Sequence, residues 1–207
     1  EIKLMDSFEK RLDEKITWLT DGTYDIGNFS EFGLRRRLSG QAQEMAGGRI
    51  MKAINLYFLS RVREESMFSD YENYLTRRDE YQRSRKAEQE SLCSMVDQLL
   101  SCSCLITYQA CDGFFFSYVI DHISKEFDLV KVAEDKSKVL NIELKSMDIG
   151  QERIAAQLRQ NGYYLRHITR NIFSFTYVSQ TQKVYTLDGE GDLQETAMEN
   201  LAEVMNG

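Results

Sequence analysis

The sequence predicts an α/β protein in which helices flank a mixed central β-sheet and a helical region precedes the sheet. Three observations lead to this fold class. Residues 1 to about 100 repeat apolar side chains at helical spacing. After about residue 104, several short runs alternate in the manner of β-strands. A clear helix separates these strands, and another helix closes the chain.

The front half is predicted to form helices. We place its boundary with the α/β domain after residue 85. Residues 1–85 are then a helical region that grips a substrate or docks a partner, and residues 86–207 form the α/β domain. A first amphipathic helix ends near Asp21-Gly22, and a second carries Arg35-Arg36-Arg37. Gly47-Gly48 indicates a turn. A buried helix over RIMKAINLYFLSRV and a longer polar helix from about Ser69 to Leu100 follow.

The back half is predicted to alternate between strands and helices. CLITYQA indicates a strand, Asp112-Gly113 a turn, and FFFSYVI either a second strand or a short helix. After a hairpin comes a helix from about Ile149 to Thr169. NIFSFTYVS and KVYTL predict two more strands, and the turn DGEGD leads to the closing helix.

Composition is that of a soluble globular protein, with 207 residues, 42% hydrophobic and 29% charged. No apolar run approaches the roughly 18 residues of a membrane span, so we expect a cytoplasmic protein without a membrane partner. A start at Glu1 is compatible with a piece of a longer chain that has further domains or a protein partner, and a homo-oligomer is also compatible. The net charge of −7 disfavours broad nucleic-acid binding but allows a local basic track.

The stretch from Glu126 to Ser146 predicts a β-hairpin, because two alternating runs flank the polar segment AEDKSK. Side chains of a strand alternate between its faces, which puts Asp128 on one face of the first strand and Glu143 and Lys145 together on one face of the second. Two carboxylates and a lysine can therefore converge.

Such a group suits a metal-dependent phosphodiester hydrolase. Asp128 and Glu143 provide the oxygen ligands that Mg²⁺ prefers, and Lys145 can position the attacking water and stabilise charge on the phosphate. The alternative is a set of cross-strand charge pairs on a wet face of the sheet. The apolar neighbours in FDLV and NIELK favour strands inside the sheet, where burying a charge is costly unless it has a partner or a function.

Phe127-Asp128, fourteen residues, then Glu143-Leu144-Lys145 resembles the PD-(D/E)xK nuclease superfamily, with Phe127 in place of the proline. The resemblance covers roughly Ser91 to Leu187. It implies a restriction-endonuclease-like fold and a DNA nuclease that acts in defence against foreign DNA or in repair. It also implies that Asp128, Glu143 and the backbone carbonyl of Leu144 hold Mg²⁺ or Mn²⁺.

The helix after the hairpin is similar to that of several superfamily branches, which place a glutamine and often a tyrosine there. The candidates share one flank of the helix and are Arg153, Gln157, Gln160 and Tyr164. Many members have a further upstream carboxylate. The candidates for this position are Glu88, Glu90, Asp112 and Asp121, with Glu126 as the alternative on the same strand face as Asp128.

Basic residues of the polar helix are candidate DNA contacts. They are Arg77, Arg78, Arg83, Arg85 and Lys86, with Arg153 further on. Interleaved acidic residues also fit a solvated face with intrahelical ion pairs. A competing hypothesis for the whole chain is a non-catalytic nuclease-fold domain that binds protein or nucleic acid within a larger assembly.

The four cysteines fall within one short region, at Cys93, Cys102, Cys104 and Cys111. The spacing has no CxxC pair and no neighbouring histidine, so reduced thiols beside the core are favoured over a metal or iron–sulfur site.

Overall fold

A computed structural model describes residues 44–45, 49–50, 53–64, 67–68, 86–102, 106–120 and 125–207. All of them fall within one compact unit, Ala42–Gly207. Several predicted features lie outside the described residues. They are the first two helices with Arg35-Arg36-Arg37, the arginines between positions 77 and 85, Cys104 and Asp121.

The described part of the front half begins with two short strands, β1 (Glu44–Met45) and β2 (Arg49–Ile50), which pair antiparallel. The predicted turn at Gly47-Gly48 falls between them in the sequence. Helix α1 (Leu56–Arg61) then starts later than the predicted helix over RIMKAINLYFLSRV. The reason is Asn55, whose side chain caps the helix by accepting hydrogen bonds from the backbone N–H groups of Tyr57 and Phe58.

A six-stranded mixed sheet dominates the back half, in the order β3-β4-β5-β6-β7-β8. The strands are β3 (Phe114–Ile120), β4 (Lys125–Val132), β5 (Val139–Lys145), β6 (Ile172–Val178), β7 (Lys183–Leu187) and β8 (Leu193–Thr196). Strands β5 and β6 are parallel, and all other neighbours are antiparallel. The connection between the parallel pair needs a crossover, which is the helix that follows β5.

Helices cover both faces of this sheet, as predicted. Helix α3 (Gln151–Leu165) packs Ile154 and Leu158 against Val178 of β6 and Tyr185 of β7. Helix α2 (Lys86–Ser101) packs on the opposite face, where the hydroxyl groups of Ser94 and Tyr177 lie 2.7 Å apart. Helix α4 (Met198–Asn206) contacts α2. Because Tyr177 and Val178 are adjacent in β6, the two helices lie on alternate sides of the sheet.

Two predicted elements differ from the structure. CLITYQA was expected to be a strand, but Tyr108–Cys111 form a turn. Contacts from distant residues hold this segment: Asn55 donates to the Tyr108 carbonyl, and the Asn206 side chain accepts from the N–H and hydroxyl of Thr107. Such contacts outweigh β propensity.

The other difference lies after β7, where the turn DGEGD was expected to lead into the closing helix without another strand between them. The Asp188 carboxylate accepts hydrogen bonds from the N–H groups of Glu190 and Asp192, and Gly191 adopts a φ of +90°. These contacts make a tight turn that requires a positive φ at Gly191, which glycine adopts more easily than other residues do. The chain therefore returns as strand β8 before α4 begins.

Candidate functional site

The predicted hairpin is confirmed as the antiparallel pair β4 and β5, with Val130 opposite Asn141 and Leu129 opposite Ile142. The polar connection closes on itself, since the Ala133 N–H donates to the Lys138 carbonyl at 3.0 Å. Both strands lie inside the sheet, β4 next to β3 and β5 next to β6. The charged residues of the hairpin therefore emerge from an interior part of the sheet.

Strand β4 departs from regular alternation at Asp128. Phe127 and Val130 pack in the same apolar cluster although they are three residues apart, and Ser117 on the neighbouring strand has a φ of +51°. The backbone pairing of β4 with β5 ends at Leu129 and Ile142. Beyond it, the Leu144 N–H donates to Oδ2 of Asp128 at 2.7 Å. The Asp128 carboxylate thus accepts a hydrogen bond from the strand beside it.

Glu143 is the most deeply buried charged residue of the site, with 2% of its side chain exposed. Three side chains donate to its carboxylate. Asn161 Nδ2 contacts Oε1 at 2.7 Å, and Gln157 Nε2 and Lys145 Nζ contact Oε2, the latter at 3.4 Å. Hydrogen bonding of this kind offsets part of the cost of burying a carboxylate.

Lys145 links the two carboxylates. Its Nζ lies 3.4 Å from Oε2 of Glu143 and 3.8 Å from Oδ2 of Asp128. The side chains of Lys145 and Asp128 are 20% and 19% exposed, so the site opens to solvent on their side and closes over Glu143. The predicted convergence of these three residues is therefore present in the structure.

Burial raises the pKa values of both acids. Desolvation and, after it, repulsion from Asp128 raise the pKa of Glu143 to about 7, against the opposing effect of Lys145. Desolvation also raises the pKa of Asp128, against the opposing effects of Lys145 and the Leu144 N–H. One ammonium group thus compensates two carboxylates incompletely, and the site favours an additional proton or cation.

Helix α3 supplies Gln157 and Asn161 one turn apart. Its apolar stripe, Ile154, Leu158 and Leu165, is buried, which fixes the rotation of the helix on the sheet. Residues four apart lie on one face of a helix, so the same rotation aims Gln157 and Asn161 at Glu143.

Sequence reasoning missed Asn161. Its signal was present, because Asn161 continues the buried series Ile154, Leu158, Asn161, Leu165 at spacings of four, three and four. An asparagine at a core position of a helix has poor helix propensity and needs a polar partner. That partner is Glu143.

The other predicted helix residues lie elsewhere. Gln160 and Arg153 are exposed on α3, and Tyr164 packs on the apolar cluster that contains Phe127 and Val130. Glu126 is exposed and acts on Asp128 by raising its pKa. Of the upstream acids, Glu90 lines a cleft along α2 with Arg63 and Cys93. Lys86 is exposed at the start of α2.

Each described cysteine either donates to a backbone carbonyl or lies buried. Cys93 donates to the Ser60 carbonyl and Cys102 to the Leu99 carbonyl, while Cys111 is buried. Burial raises the pKa of Cys93, and that of Cys111 to about 11. Both thiols are therefore poor nucleophiles at neutral pH.

The donor set suits a hard divalent cation better than a soft one. Within the described ranges, three or more His, Cys, Asp and Glu side chains nowhere cluster as metal ligands. Magnesium, however, needs only one or two carboxylates and keeps several waters. Asp128 and Glu143 meet that minimum, and burial raises both pKa values, so a nearby cation would stabilise their ionised forms. A cation at Glu143 has to displace or share the contacts from Lys145 and Gln157.

Across the residues the structure describes, no helix has the length and apolarity to cross a membrane. Comparisons of the chain with protein-family models, characterised proteins and solved structures found no match.

Proposed function

We propose that this protein is a metal-dependent nuclease that hydrolyses phosphodiester bonds of DNA, with a restriction-endonuclease-like domain at its centre. The observation that carries the proposal is the position of Lys145 Nζ, within 4 Å of both the Asp128 and Glu143 carboxylates at the end of an interior hairpin. Resemblance of Phe127-Asp128 and Glu143-Leu144-Lys145 to the PD-(D/E)xK motif points the same way.

In this proposal Asp128, Glu143 and the backbone carbonyl of Leu144 would hold Mg²⁺ or Mn²⁺. The ion would lower the pKa of a bound water and neutralise charge on the scissile phosphate. Lys145 orients the water through its ammonium group and adds positive charge beside the phosphate. Gln157 and Asn161 hold Glu143 in one orientation, because they donate to different oxygens of its carboxylate.

The exposed side of the site is where DNA would approach. Arg153 is exposed in the first turn of α3, directly after the loop that follows Lys145, and offers a phosphate contact. Lys86, at the start of α2, is a further candidate contact, and Arg77, Arg78, Arg83 and Arg85 are candidates that lie outside the described residues. A role in defence against foreign DNA or in repair fits such an enzyme.

A second candidate function is a non-catalytic nuclease-fold domain that binds protein or nucleic acid. One observation favours it: both oxygens of Glu143 already accept hydrogen bonds from side chains of the protein. A self-satisfied network of this kind also serves as a structural core element.

Cleavage assays separate the two candidates. The wild-type protein, Asp128→Ala and Lys145→Ala are incubated with supercoiled plasmid and single-stranded DNA in Mg²⁺, in Mn²⁺ or in chelator. We expect metal-dependent cutting by the wild type and a loss of at least about 100-fold in both variants. Lys183→Ala is the matched control, because Lys183 lies in an exposed ion pair with Glu195 and outside the contacts that join Asp128, Glu143 and Lys145.

Two outcomes contradict the nuclease proposal. If the wild type cuts no DNA or RNA under any of these conditions, the binding domain is supported instead. If cutting survives both substitutions at the level of Lys183→Ala, the assignment of the site to Asp128 and Lys145 is wrong.

A further inference from the structure

A layer of uncharged polar side chains lies beside Glu143, under helix α3. Asn141 is opposite Ser174 in the parallel pair of β5 and β6, and Glu143 is opposite Thr176. Because these residues are two apart in each strand, they share one face of the sheet. Asn161 of α3 reaches the same place, since its Nδ2 contacts Glu143. We call Asn141, Asn161, Ser174 and Thr176 the polar layer.

The polar layer is buried but its hydrogen bonds are incomplete. Asn141, Asn161 and Thr176 are each 0% exposed. Five side-chain atoms of the layer are inaccessible and have no hydrogen-bond partner among the described residues: Asn141 Nδ2 and Oδ1, Asn161 Oδ1, Ser174 Oγ and Thr176 Oγ1. An unpaired buried polar atom typically lowers the folding equilibrium constant by about tenfold, so five of them would remove most of a domain's stability. The atoms therefore need partners that the described part of the chain does not supply.

The chemistry of these atoms identifies the partner. Asn141 Nδ2 is a donor, Asn141 Oδ1 and Asn161 Oδ1 are acceptors, and the two hydroxyl groups are both. A metal cation would leave the Asn141 donor unsatisfied, and an anion would leave the two amide oxygens unsatisfied. Water donates and accepts, and buried waters typically make about three hydrogen bonds to such groups.

We propose that the polar layer is an internal binding site for at least two ordered water molecules, held between β5, β6 and α3 beside Glu143. One water bridges Asn141 and Ser174, which face each other across the parallel strands. Another bridges Thr176 and Oδ1 of Asn161. This hydration site does not depend on the proposed nuclease activity.

The second water has a consequence for Glu143. By donating to Oδ1 of Asn161, it fixes which end of the side-chain amide faces the carboxylate. Nδ2 then remains directed at Oε1 of Glu143. The hydration site thus acts as a positioning element, since it keeps a donor rather than a second acceptor against the buried acid.

The direct test uses the wild-type chain. A crystal structure at about 1.5 Å or better is expected to show density for at least two waters within hydrogen-bond distance of Asn141 and Thr176. In solution, long-lived water is expected to give NOE cross-peaks to the side-chain amide protons of Asn141. If the crystal structure shows direct side-chain hydrogen bonds within the layer and no water, the proposal is wrong.

A substitution gives an independent test, because a hydrated layer and a dry layer predict opposite changes in stability. Asn141→Leu removes two polar atoms and replaces them with an apolar side chain of similar volume. If waters occupy the layer, the substitution removes their hydrogen-bond partners and leaves the Ser174 hydroxyl beside an apolar side chain. We therefore expect the unfolding equilibrium constant in urea to rise at least tenfold. If the layer is dry, the same substitution removes two unpaired groups and lowers that constant, which would overturn the proposal.

Asn171→Leu is the matched control, because Asn171 is exposed just before β6 and has the same side chain. Thr176→Val is a second variant that keeps the shape of the side chain and removes only its hydroxyl. It is expected to raise the unfolding constant in the same direction as Asn141→Leu. The wild-type crystal and NOE measurements decide the question even if a variant fails to fold.

Discussion

Asn161 donates its side-chain amide to Oε1 of Glu143 across 2.7 Å, from the buried face of a helix to the interior of a sheet. Both residues are almost fully buried. Helix α3 connects the parallel strands β5 and β6, and this contact links it to Glu143 on β5. The contact therefore couples the stability of the fold to the orientation of the candidate catalytic group.

Removal of this contact is expected to destabilise the protein. Asn161→Ala leaves a buried carboxylate oxygen without its donor, and we expect a loss of about 2 kcal/mol in the free energy of unfolding, measured in urea. Asn200→Ala is the control, since Asn200 lies on an exposed part of α4 and its side chain donates to Thr196 at the end of β8. That control is expected to change stability by about 0.5 kcal/mol or less. Equal losses in the two variants would show that the buried contact contributes no more to stability than the exposed contact does.

Stability is expected to fall as the pH rises from about 4.5 to about 7. The folded protein raises the pKa of Glu143 to about 7, so over this range it binds more protons than the unfolded chain does. Unfolding then releases protons, and higher pH favours the unfolded state. Asp128, whose pKa is also raised, contributes in the same direction, while Lys145 and Lys125 oppose it.

Glu143→Gln is expected to flatten this dependence, because the uncharged amide does not titrate. The measurement is the urea unfolding free energy at pH values between 5 and 8. Glu195→Gln serves as control, because Glu195 is an exposed partner of Lys183. A wild-type curve that rises over this range would contradict the raised pKa of Glu143.

Loss of Lys145 is expected to destabilise the protein more at pH 8 than at pH 5. At pH 8 Lys145→Met leaves two ionised carboxylates close together in a mostly buried site, and we expect a loss of about 2 kcal/mol. At pH 5 protonation of Glu143 relieves the repulsion, so the loss shrinks. Lys183→Met, at an exposed ion pair, is expected to behave alike at both pH values.

Magnesium is expected to stabilise the folded protein if the proposed site binds it. A ligand that binds only the folded state adds about 2.7 kcal/mol at 100 times its Kd, so the Tm is expected to rise with Mg²⁺ concentration. Asp128→Asn is expected to abolish the rise. Asp192→Asn, in the exposed turn before β8, is expected to retain it. An equal rise in both variants would place the binding elsewhere.

Much of the site was predictable because β-strands have a simple period. The spacing of Asp128, Glu143 and Lys145 indicated that two strands would bring them together, and Lys145 contacts both acids. The family resemblance, together with helical spacing, also predicted Gln157, which donates to Glu143. Gln160 was placed on the same flank as Gln157 but is exposed. Helical period gives the angle between two side chains, whereas tertiary packing sets the rotation of the helix on the sheet.

The sequence by itself determined the α/β class, the β4–β5 hairpin and the amphipathic helix α3, since each follows from local periodicity. The tertiary structure decided the parallel pairing of β5 with β6, the break in alternation at Asp128 and the choice of Asn161 as a partner of Glu143. These three features depend on contacts between residues far apart in the chain. Packing of Ile154 and Leu158 against Val178 sets the rotation of α3, and only that rotation directs Asn161 at the acid.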